Sequence, residues 1–292
     1  MILGALEAGG TKMVCSVGDE HCNVLDRYSL PTRTPEETVP QIIEYFRDKH
    51  IEALGIGSFG PVDLNRQSPT YGSITSTPKL AWVNYPLMPV LRDALRVPTE
   101  VDTDVNIAAL AEATMGAAKG LKNCMYVTVG TGIGAGLIVE GNLVHGLVHP
   151  EMGHMLMRPA EGDPTPDGFC PYHKGCLEGV ANGPAIEKRW GVSAKQLPPD
   201  HPAWTVECEY LAQMCMNAIV TLSPECIVLG GGVMQQEHLF PRIRKRTLEL
   251  LGGYVRTPRI ERDIDGYIVP PGLGINSGVT GALLLAQRAL QA

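Results

Sequence analysis

The middle of the chain carries cysteines and histidines at the spacing of metal ligands. Cys170, His173 and Cys176 form a C-x₂-H-x₂-C pattern, and His154 lies sixteen residues before the first cysteine. Two thiolates and two imidazoles suit tetrahedral zinc, and four protein ligands leave no open coordination position. The pattern predicts a structural zinc ion, with a loop of incidental cysteines and histidines as the alternative.

The loop around this pattern, residues 149–178, is polar and rich in proline and glycine, so apolar burial alone would not order it. Zinc would contribute about 10 kcal/mol or more, by analogy with zinc-finger peptides, and would fix the nearby carboxylates. Glu151 and Glu178 are therefore candidates for hydrogen bonds to sugar hydroxyls, although a solvated surface acid is the default for a lone glutamate. His149 competes with His154 as the fourth zinc ligand.

A second group of candidate residues is the turn EAGGTK, residues 7–12, between two strand-like apolar runs. Glycines in such a turn let backbone N–H groups approach an anion, and the threonine hydroxyl and lysine add a donor and a charge. Glu7 would repel phosphate and suits a metal or its bound water. The candidate phosphate donors are Gly9, Gly10, Thr11 and Lys12. Taken alone, the pattern is more typical of a structural hairpin.

A similar turn recurs in GTGIGAG, residues 130–136. Its spaced glycines resemble a dinucleotide fingerprint, but that fingerprint opens a helix, whereas LIVEG continues as a strand. Gly130, Thr131 and Gly132 are better interpreted as a second phosphate-binding hairpin, and two such turns favour function over chance. The run IVLGGGV, residues 227–233, offers glycine access to adenine or ribose, or is an ordinary strand–helix connection.

Asp104, in TDVN, is the candidate general base, at the end of a predicted strand and the start of a helix over about 104–119. Helix N-capping explains most aspartates in such positions. Asp102 competes for the role of base, but it lies inside the strand. Asn106 could be a surface polar residue.

The elements that must position these residues are two β-meanders, each with a glycine–threonine turn between its first two strands. A length of 292 residues favours two domains. We expect an α/β protein with domain boundaries at 1–118 and 119–275, the first domain being completed by a C-terminal helix within 276–292.

Composition narrows the class of protein. The net charge of −7 and the lack of a Lys/Arg block make nucleic acid an unexpected partner. No signal peptide and no apolar run of about 20 residues is evident, so we expect no membrane association. Isolated cysteines inside apolar runs, such as Cys15, Cys124 and Cys226, fit a reducing cytoplasm.

Together the motifs resemble the ROK family, with bacterial ROK fructokinases as the nearest branch. Motifs that carry the resemblance span nearly the whole chain: EAGGTK, GIGSFGPVD, TPKLAWVNYP, DVNIAALAE, GTGIGAG, HPEMGH, the CPYHKGC loop and LGGGV. The resemblance implies two ribonuclease-H-like domains of the actin/hexokinase type, with an interdomain cleft for sugar and Mg-ATP.

The same resemblance implies roles for individual residues. Asp104 matches the base that takes a proton from the sugar. Phosphate motifs match Gly9 to Lys12 and Gly130 to Gly132, and nucleotide positions match Gly183, Pro184, Gly231 and Gly232. Sugar-facing positions match Asn84, Glu151, His154 and Glu178, with His154 also a zinc ligand.

Two residues depart from the family pattern. His173 stands where many ROK kinases have a cysteine, and Glu7 where many have aspartate; the longer Glu7 could still organise a magnesium-bound water.

The implied activity is a phosphotransferase with an alcohol acceptor, converting D-fructose and ATP to D-fructose 6-phosphate and ADP. Alternatives are a kinase for glucose, mannose or an N-acetylhexosamine, and a non-catalytic sugar sensor. The resemblance also implies a cytoplasmic homodimer; a ROK repressor is disfavoured because the first predicted strand leaves no room for its DNA-binding domain.

Overall fold

The computed structural model describes residues 1–291, which divide into two compact units. The first unit contains Met1–Gly116, Leu143–Pro150 and the chain from Ile275 onward. The second contains Ala117–Asn142 and Glu151–Gly274. Segment 143–150, which we expected in the second domain, lies with the first because its histidines bond to residues there.

Each unit contains a five-stranded mixed sheet. The strands are β1 Leu3–Ala8, β2 Lys12–Gly18, β3 Val24–Pro31, β4 Ala53–Ser58, β5 Thr99–Thr103, β6 Cys124–Val129, β7 Ile133–Val139, β8 Asn142–Leu143, β9 Cys226–Gly230 and β10 Ile268–Val269. The helices are α1 Pro35–Arg47, α2 Leu87–Leu95, α3 Asp104–Thr114, α4 Leu177–Ala181, α5 Gly183–Trp190, α6 Ala203–Leu222, α7 Leu239–Leu251, α8 Pro258–Glu261, α9 Ile264–Tyr267 and α10 Ser277–Ala289.

In the first unit the strand order is β3-β2-β1-β4-β5. The meander β1–β3 is antiparallel, and β1, β4 and β5 are parallel. Side chains of β1 alternate between two cores, because successive strand residues face opposite sides of a sheet. Leu3 and Ala5 pack towards α3 and α10, whereas Leu6 and Ala8 pack with α1 and α2. C-terminal α10 thus completes the first unit.

In the second unit the strand order is β10-β9-β6-β7-β8. Strands β6 and β7 form the antiparallel pair, and β9 lies parallel to β6. The third strand predicted for this meander is only the two-residue β8. The ends of β6 and β9 therefore lie side by side, with one glycine turn after each.

Helix α3 ends at Thr114 and not near residue 119 as predicted. Gly116 lies where a side chain would collide with the carboxylate of Glu112. That carboxylate is buried and accepts a 2.7 Å hydrogen bond from Ser277 Oγ. No helix among residues 1–291 is long and apolar enough to cross a membrane.

Candidate active site

The turn after β1 has a backbone arrangement that leaves donors for an anion. Gly9 N donates to Lys12 O at 3.1 Å, which closes the turn. Thr32 holds it from outside: its Oγ1 donates to Gly9 O at 2.7 Å and its N to Thr11 O at 3.0 Å. The amides of Gly10 and Thr11 donate no hydrogen bond to any described residue. A fixed turn with two unbonded amides is suited to phosphate.

Glu7 precedes this turn and is partly buried against α10. A Cβ added to Gly278 would lie only 2.5 Å from Cδ of Glu7, so the carboxyl group fills the space beside that glycine. Desolvation raises the pKa of Glu7, and the charges of Lys12 and Arg27 oppose that rise. The carboxylate is therefore adjacent to the turn but packed against a helix.

Asp104 is the first residue of α3 and follows directly on β5. The N-cap of the helix is Thr103, whose side chain accepts a hydrogen bond from Asn106 N at 3.1 Å. N-capping, the alternative explanation for Asp104, is thus performed by the preceding residue. Asp104 is half-buried, and its Oδ1 accepts from Val105 N at 2.9 Å. It lies at the carboxyl edge of the parallel strands, where β1 also ends in its glycine turn.

Asp102, the competing carboxylate, is 4% exposed and its oxygens are occupied. Oδ1 accepts from Thr103 N at 2.8 Å and from Asn106 Nδ2 at 2.6 Å, and Oδ2 lies 2.8 Å from His145 Nε2. Asn106 is buried, so its interpretation as a surface residue is wrong. Because these bonds hold it in place, Asp102 is a structural carboxylate and the poorer candidate for a base.

His145 was not singled out in the sequence. Its hydrogen bond to Asp102 raises the pKa of His145, against an opposing effect of desolvation. The signal in the sequence was weak, because a lone histidine forty residues from its partner has no local pattern.

Asn84 occupies a strained backbone conformation in the first unit. Its φ is 58°, in the left-handed region, and its amide donates to Thr75 O at 3.1 Å. The residue is exposed, and its side chain has no hydrogen-bond partner among residues 1–291. Left-handed non-glycine residues often occur at functional sites.

The turn after β6 repeats the arrangement of the first turn. Gly130 N donates to Gly132 O at 2.9 Å, and the amides of Thr131 and Gly132 donate to no described residue. Gly183 N donates to Gly130 O at 2.8 Å, and Asn182 Nδ2 to Thr131 O at 3.0 Å. This turn also has two unbonded amides, and it is held by the residues that begin α5.

Asn182 is a further residue that sequence reasoning missed. It is the N-cap of α5, where its Oδ1 accepts from Ala185 N at 2.7 Å, and Pro184 lies in the first turn of that helix. An asparagine directly before Gly-Pro is a recognisable helix-start signal. Its amide nitrogen, however, serves the glycine turn, which sequence spacing does not reveal.

The glycines after β9 lie beside the same turn. Gly231 has a φ of 91° and leaves no space for a Cβ, because Val129 backbone atoms lie 2.5 Å or closer to that position. Gly232 N lies 3.9 Å from the position of a Cβ on Gly130. The structure therefore brings together the predicted nucleotide glycines of the second unit around one edge of its sheet.

Two acidic residues lie near this edge. Glu178, on α4, accepts a hydrogen bond from Ile133 N at 3.0 Å. Desolvation, and secondarily the negative charge of Glu178, raise the pKa of Glu151 to about 7. Glu151 and Glu178 thus influence each other electrostatically, as expected for carboxylates that share one site.

The cysteine–histidine group is assembled as a four-membered cluster. The ligand atoms of His154, Cys170, His173 and Cys176 all lie within 4.8 Å of one another. Sulfur-to-Nδ1 distances are 3.8 Å for Cys170–His154, Cys170–His173 and Cys176–His154. Separations of about 3.6 Å follow from ordinary Zn–S and Zn–N bonds at tetrahedral angles. These donors fit a zinc ion.

His149, the rival ligand, is not a member of this cluster. It is buried in the first unit, where its Nε2 accepts a 3.1 Å hydrogen bond from Val62 N. All eight cysteines, including the two of the cluster, are free of disulfides.

Known proteins match this chain along its whole length. A fructokinase of Pediococcus pentosaceus is 47% identical over 291 residues, covering 100% of this chain and 99% of that protein. A fructokinase of Lactococcus lactis is 43% identical, covering 95% and 93%. The solved structure of a ROK family glucokinase from Streptomyces griseus, in complex with glucose and AMPPNP, aligns with a TM-score of 0.81 at 24% identity, covering 99% and 100%.

The family model described as "ROK family" matches residues 3–289, which confirms the resemblance predicted from the motifs. The match includes both glycine turns, Asp104 and the cysteine–histidine cluster. The chain therefore belongs to the ROK family.

Proposed function

We propose that this protein is an ATP-dependent fructokinase, which transfers the γ-phosphoryl group of ATP to the 6-hydroxyl of D-fructose. The observation that carries the proposal is full-length similarity to fructokinases at 43–47% identity, together with a sugar-kinase set of residues. The nucleotide assignment is supported by the two glycine turns with unbonded amides.

Asp104 is the proposed base. Its position after β5, with the N-cap role filled by Thr103, leaves a half-buried carboxylate at the edge of the parallel strands. The carboxylate takes the proton of the 6-hydroxyl, whose oxygen forms a bond to the γ-phosphorus. The bond from that phosphorus to the bridging oxygen breaks, and its electron pair leaves with ADP.

The glycine turns are the proposed phosphate sites, with Gly9 to Lys12 in one unit and Gly130 to Gly132 in the other. Their free amides stabilise charge on phosphate oxygens, because fixed dipoles require no reorganisation during transfer. Gly183, Pro184, Gly231 and Gly232 are the proposed adenosine side. A magnesium ion bound with ATP would neutralise phosphate charge, and Glu7 is the candidate to orient one of its waters.

Asn84, Glu151, His154 and Glu178 are the proposed contacts to sugar hydroxyls. Glu178 lies two residues after Cys176, on α4, and Glu151 lies three residues before His154. Zinc held by His154, Cys170, His173 and Cys176 would thus fix the backbone that follows Glu151 and the backbone that precedes Glu178. Its proposed role is structural, since four protein ligands fill a tetrahedral shell.

The remaining parts of the proposal rest on the family resemblance. An actin/hexokinase-type fold is supported by the alignment to the Streptomyces glucokinase, which bears on fold alone. Cytoplasmic location, which free cysteines support, and a homodimeric state stay predictions.

The proposal is tested with a sugar panel and coupled detection of ADP. Fructose should give the highest kcat/KM among fructose, glucose, mannose and N-acetylhexosamines. Glucose or mannose as the preferred substrate would make the protein a different hexokinase. Sugar binding without ATP turnover would make it a non-catalytic sensor.

A further inference from the structure

Lys79 places a second lysine beside the first glycine turn. A Cβ added to Gly10 would meet Lys79 Cε at 3.2 Å, so the end of the Lys79 side chain lies against the turn. The ammonium nitrogen is one bond beyond Cε, and it is therefore close to the unbonded amides of Gly10 and Thr11.

Contacts of the backbone fix this placement. Lys79 O accepts from Trp82 N at 2.8 Å, and Lys79 N donates to Thr77 Oγ1 at 3.3 Å. Trp82 is 1% exposed, and its indole Nε1 donates to Arg33 O at 2.6 Å. The neighbouring Thr32 holds the glycine turn through two hydrogen bonds. Segment 79–82 and the turn are thus held by two adjacent residues, Arg33 and Thr32.

The charge of Lys79 has no opposite charge paired with it among residues 1–291. It forms no ion pair in the part of the chain that the structure describes, although the protein carries an excess of acidic residues. The nearest acid of the turn, Glu7, is packed against α10, and Lys12 and Arg27 are the cations that influence its pKa. A half-buried lysine whose side chain lies against a turn with two unbonded amides is suited to an anion.

We propose that Lys79 contacts the phosphoryl group that is transferred from ATP, as a cation additional to Lys12. This inference rests on the proposed function, since it assigns a residue to the same phosphate site. Lys79 makes no covalent bond; its ammonium group donates to phosphate oxygens whose charge is redistributed as the bond to ADP breaks. The loop that carries Lys79 also carries Asn84, so one loop would contact both the phosphoryl group and the sugar.

The test compares Lys79→Met, which keeps an apolar side chain of similar length, with Lys79→Arg, which keeps the charge. Lys119→Met is the control, because Lys119 is exposed on a loop of the second unit. We expect Lys79→Met to lower kcat/KM for ATP by roughly 10²–10³-fold. Lys79→Arg should recover much of this loss, and Lys119→Met should match the parent. Fructose affinity measured by calorimetry should change less than threefold in all variants.

A purely structural Lys79 would give a different result. Lys79→Met would then keep the parent kcat/KM for ATP, or Lys79→Arg would lose as much as Lys79→Met, and either outcome overturns the inference.

Calorimetric titration with Mg-AMPPNP separates the inference from the proposed function. If the parent phosphorylates no sugar, the proposed function is wrong, and weaker AMPPNP binding by Lys79→Met alone still supports the phosphate contact. Equal binding, or no binding by the parent, overturns it.

Discussion

At the scale of single residues, two aspartates only two positions apart have different environments. Asp102 is buried and accepts hydrogen bonds from Thr103 and Asn106. Asp104 begins a helix that another residue caps, and it stays half-buried. A general base needs an accessible carboxylate, so the environment favours Asp104.

Asp104→Asn should therefore abolish most activity without loss of the fold. Replacing the carboxylate by an amide removes the proton acceptor, and we expect kcat to fall by roughly 10²–10⁴-fold. Fructose affinity should stay within a few-fold of the parent, because the amide keeps the shape. Steady-state kinetics and calorimetry measure the two effects, with the exposed Asp48→Asn as control. Parent-like turnover by Asp104→Asn would contradict the assignment.

The Asp102–His145 pair should make stability depend on pH. The bond to Asp102 raises the folded-state pKa of His145 above its ordinary value, so its contribution is complete below about pH 6.5 and is lost as pH rises through the folded-state pKa. We expect His145→Gln to lower the free energy of unfolding most at acidic pH, by at most about 1 kcal/mol, since the imidazole of His145 is 43% exposed and solvent screens its charge.

Melting temperatures of the parent and His145→Gln, from about pH 6 to about pH 8, test this dependence. The exposed His21→Gln is the control. A difference between parent and His145→Gln that grows as pH rises would be inconsistent with the pair.

At the scale of elements, short loops carry most of the candidate chemistry, and neighbouring elements fix them. The first glycine turn is held by Thr32 at the end of β3, and the second by Asn182 and Gly183 at the start of α5. Polar contacts within each unit therefore position backbone amides that have no partner of their own.

Zinc should be retained by the parent and lost on removal of a ligand. Cys170→Ser replaces a thiolate by a poor zinc ligand, so we expect the metal content, measured by mass spectrometry of the purified protein, to fall from one ion per chain to near zero. The melting temperature should fall as well. Cys22→Ser, a cysteine outside the cluster, is the control for metal content. Equal metal in Cys170→Ser, or a zinc-free parent, would refute the site.

A buried ion pair should stabilise the loop that leads into the cysteine–histidine cluster. Arg189 Nε lies 2.7 Å from Asp163 Oδ1, both side chains are almost inaccessible, and Arg189 Nη1 donates to Val180 O at 2.8 Å. Arg189→Met would leave Asp163 buried without its cation. Glu207, whose pKa burial already raises strongly, would also lose the positive charge of Arg189, which opposes that rise.

We expect this variant to lower the free energy of unfolding by roughly 3–5 kcal/mol. Urea unfolding measures the effect, with the exposed Arg262→Met as control. Addition of Asp163→Asn should recover part of the loss, since the buried charge is then removed. A loss below about 1 kcal/mol in Arg189→Met would contradict the importance of the pair.

At the scale of the whole molecule, the chain combines two sheets of similar strand order with a negative net charge of −7. Each unit begins with an antiparallel meander. Elements from later in the chain complete it: α10 in the first unit, and β9 and β10 in the second. The C-terminal helix α10 belongs to the first unit, so both ends of the chain contribute to one core.

The family resemblance predicts a homodimer. Light scattering after size exclusion should then give twice the chain mass of 31.4 kDa, unchanged on tenfold dilution at micromolar concentration. A mass of one chain across that range would show that the predicted dimer is absent.

Much of the fold followed from local patterns. The apolar runs and glycine turns of both meanders, and the strand before Asp104, lie where the periodicity predicts them. Boundaries that depend on tertiary contacts were missed: α3 ends at Thr114, and segment 143–150 joins the first unit.

The sequence by itself determined the family, the two glycine turns and the residue types of the cysteine–histidine cluster, because these depend on residue identity and spacing along the chain. Only the tertiary structure decided between His149 and His154 as a cluster member, identified Thr103 as the cap of α3, and paired Asp102 with His145. Those outcomes depend on which distant residues meet, and on which polar atoms are already bonded, so no local pattern contains them. The placement of Lys79 beside Gly10 also depends on the tertiary structure, because the two residues are far apart along the chain.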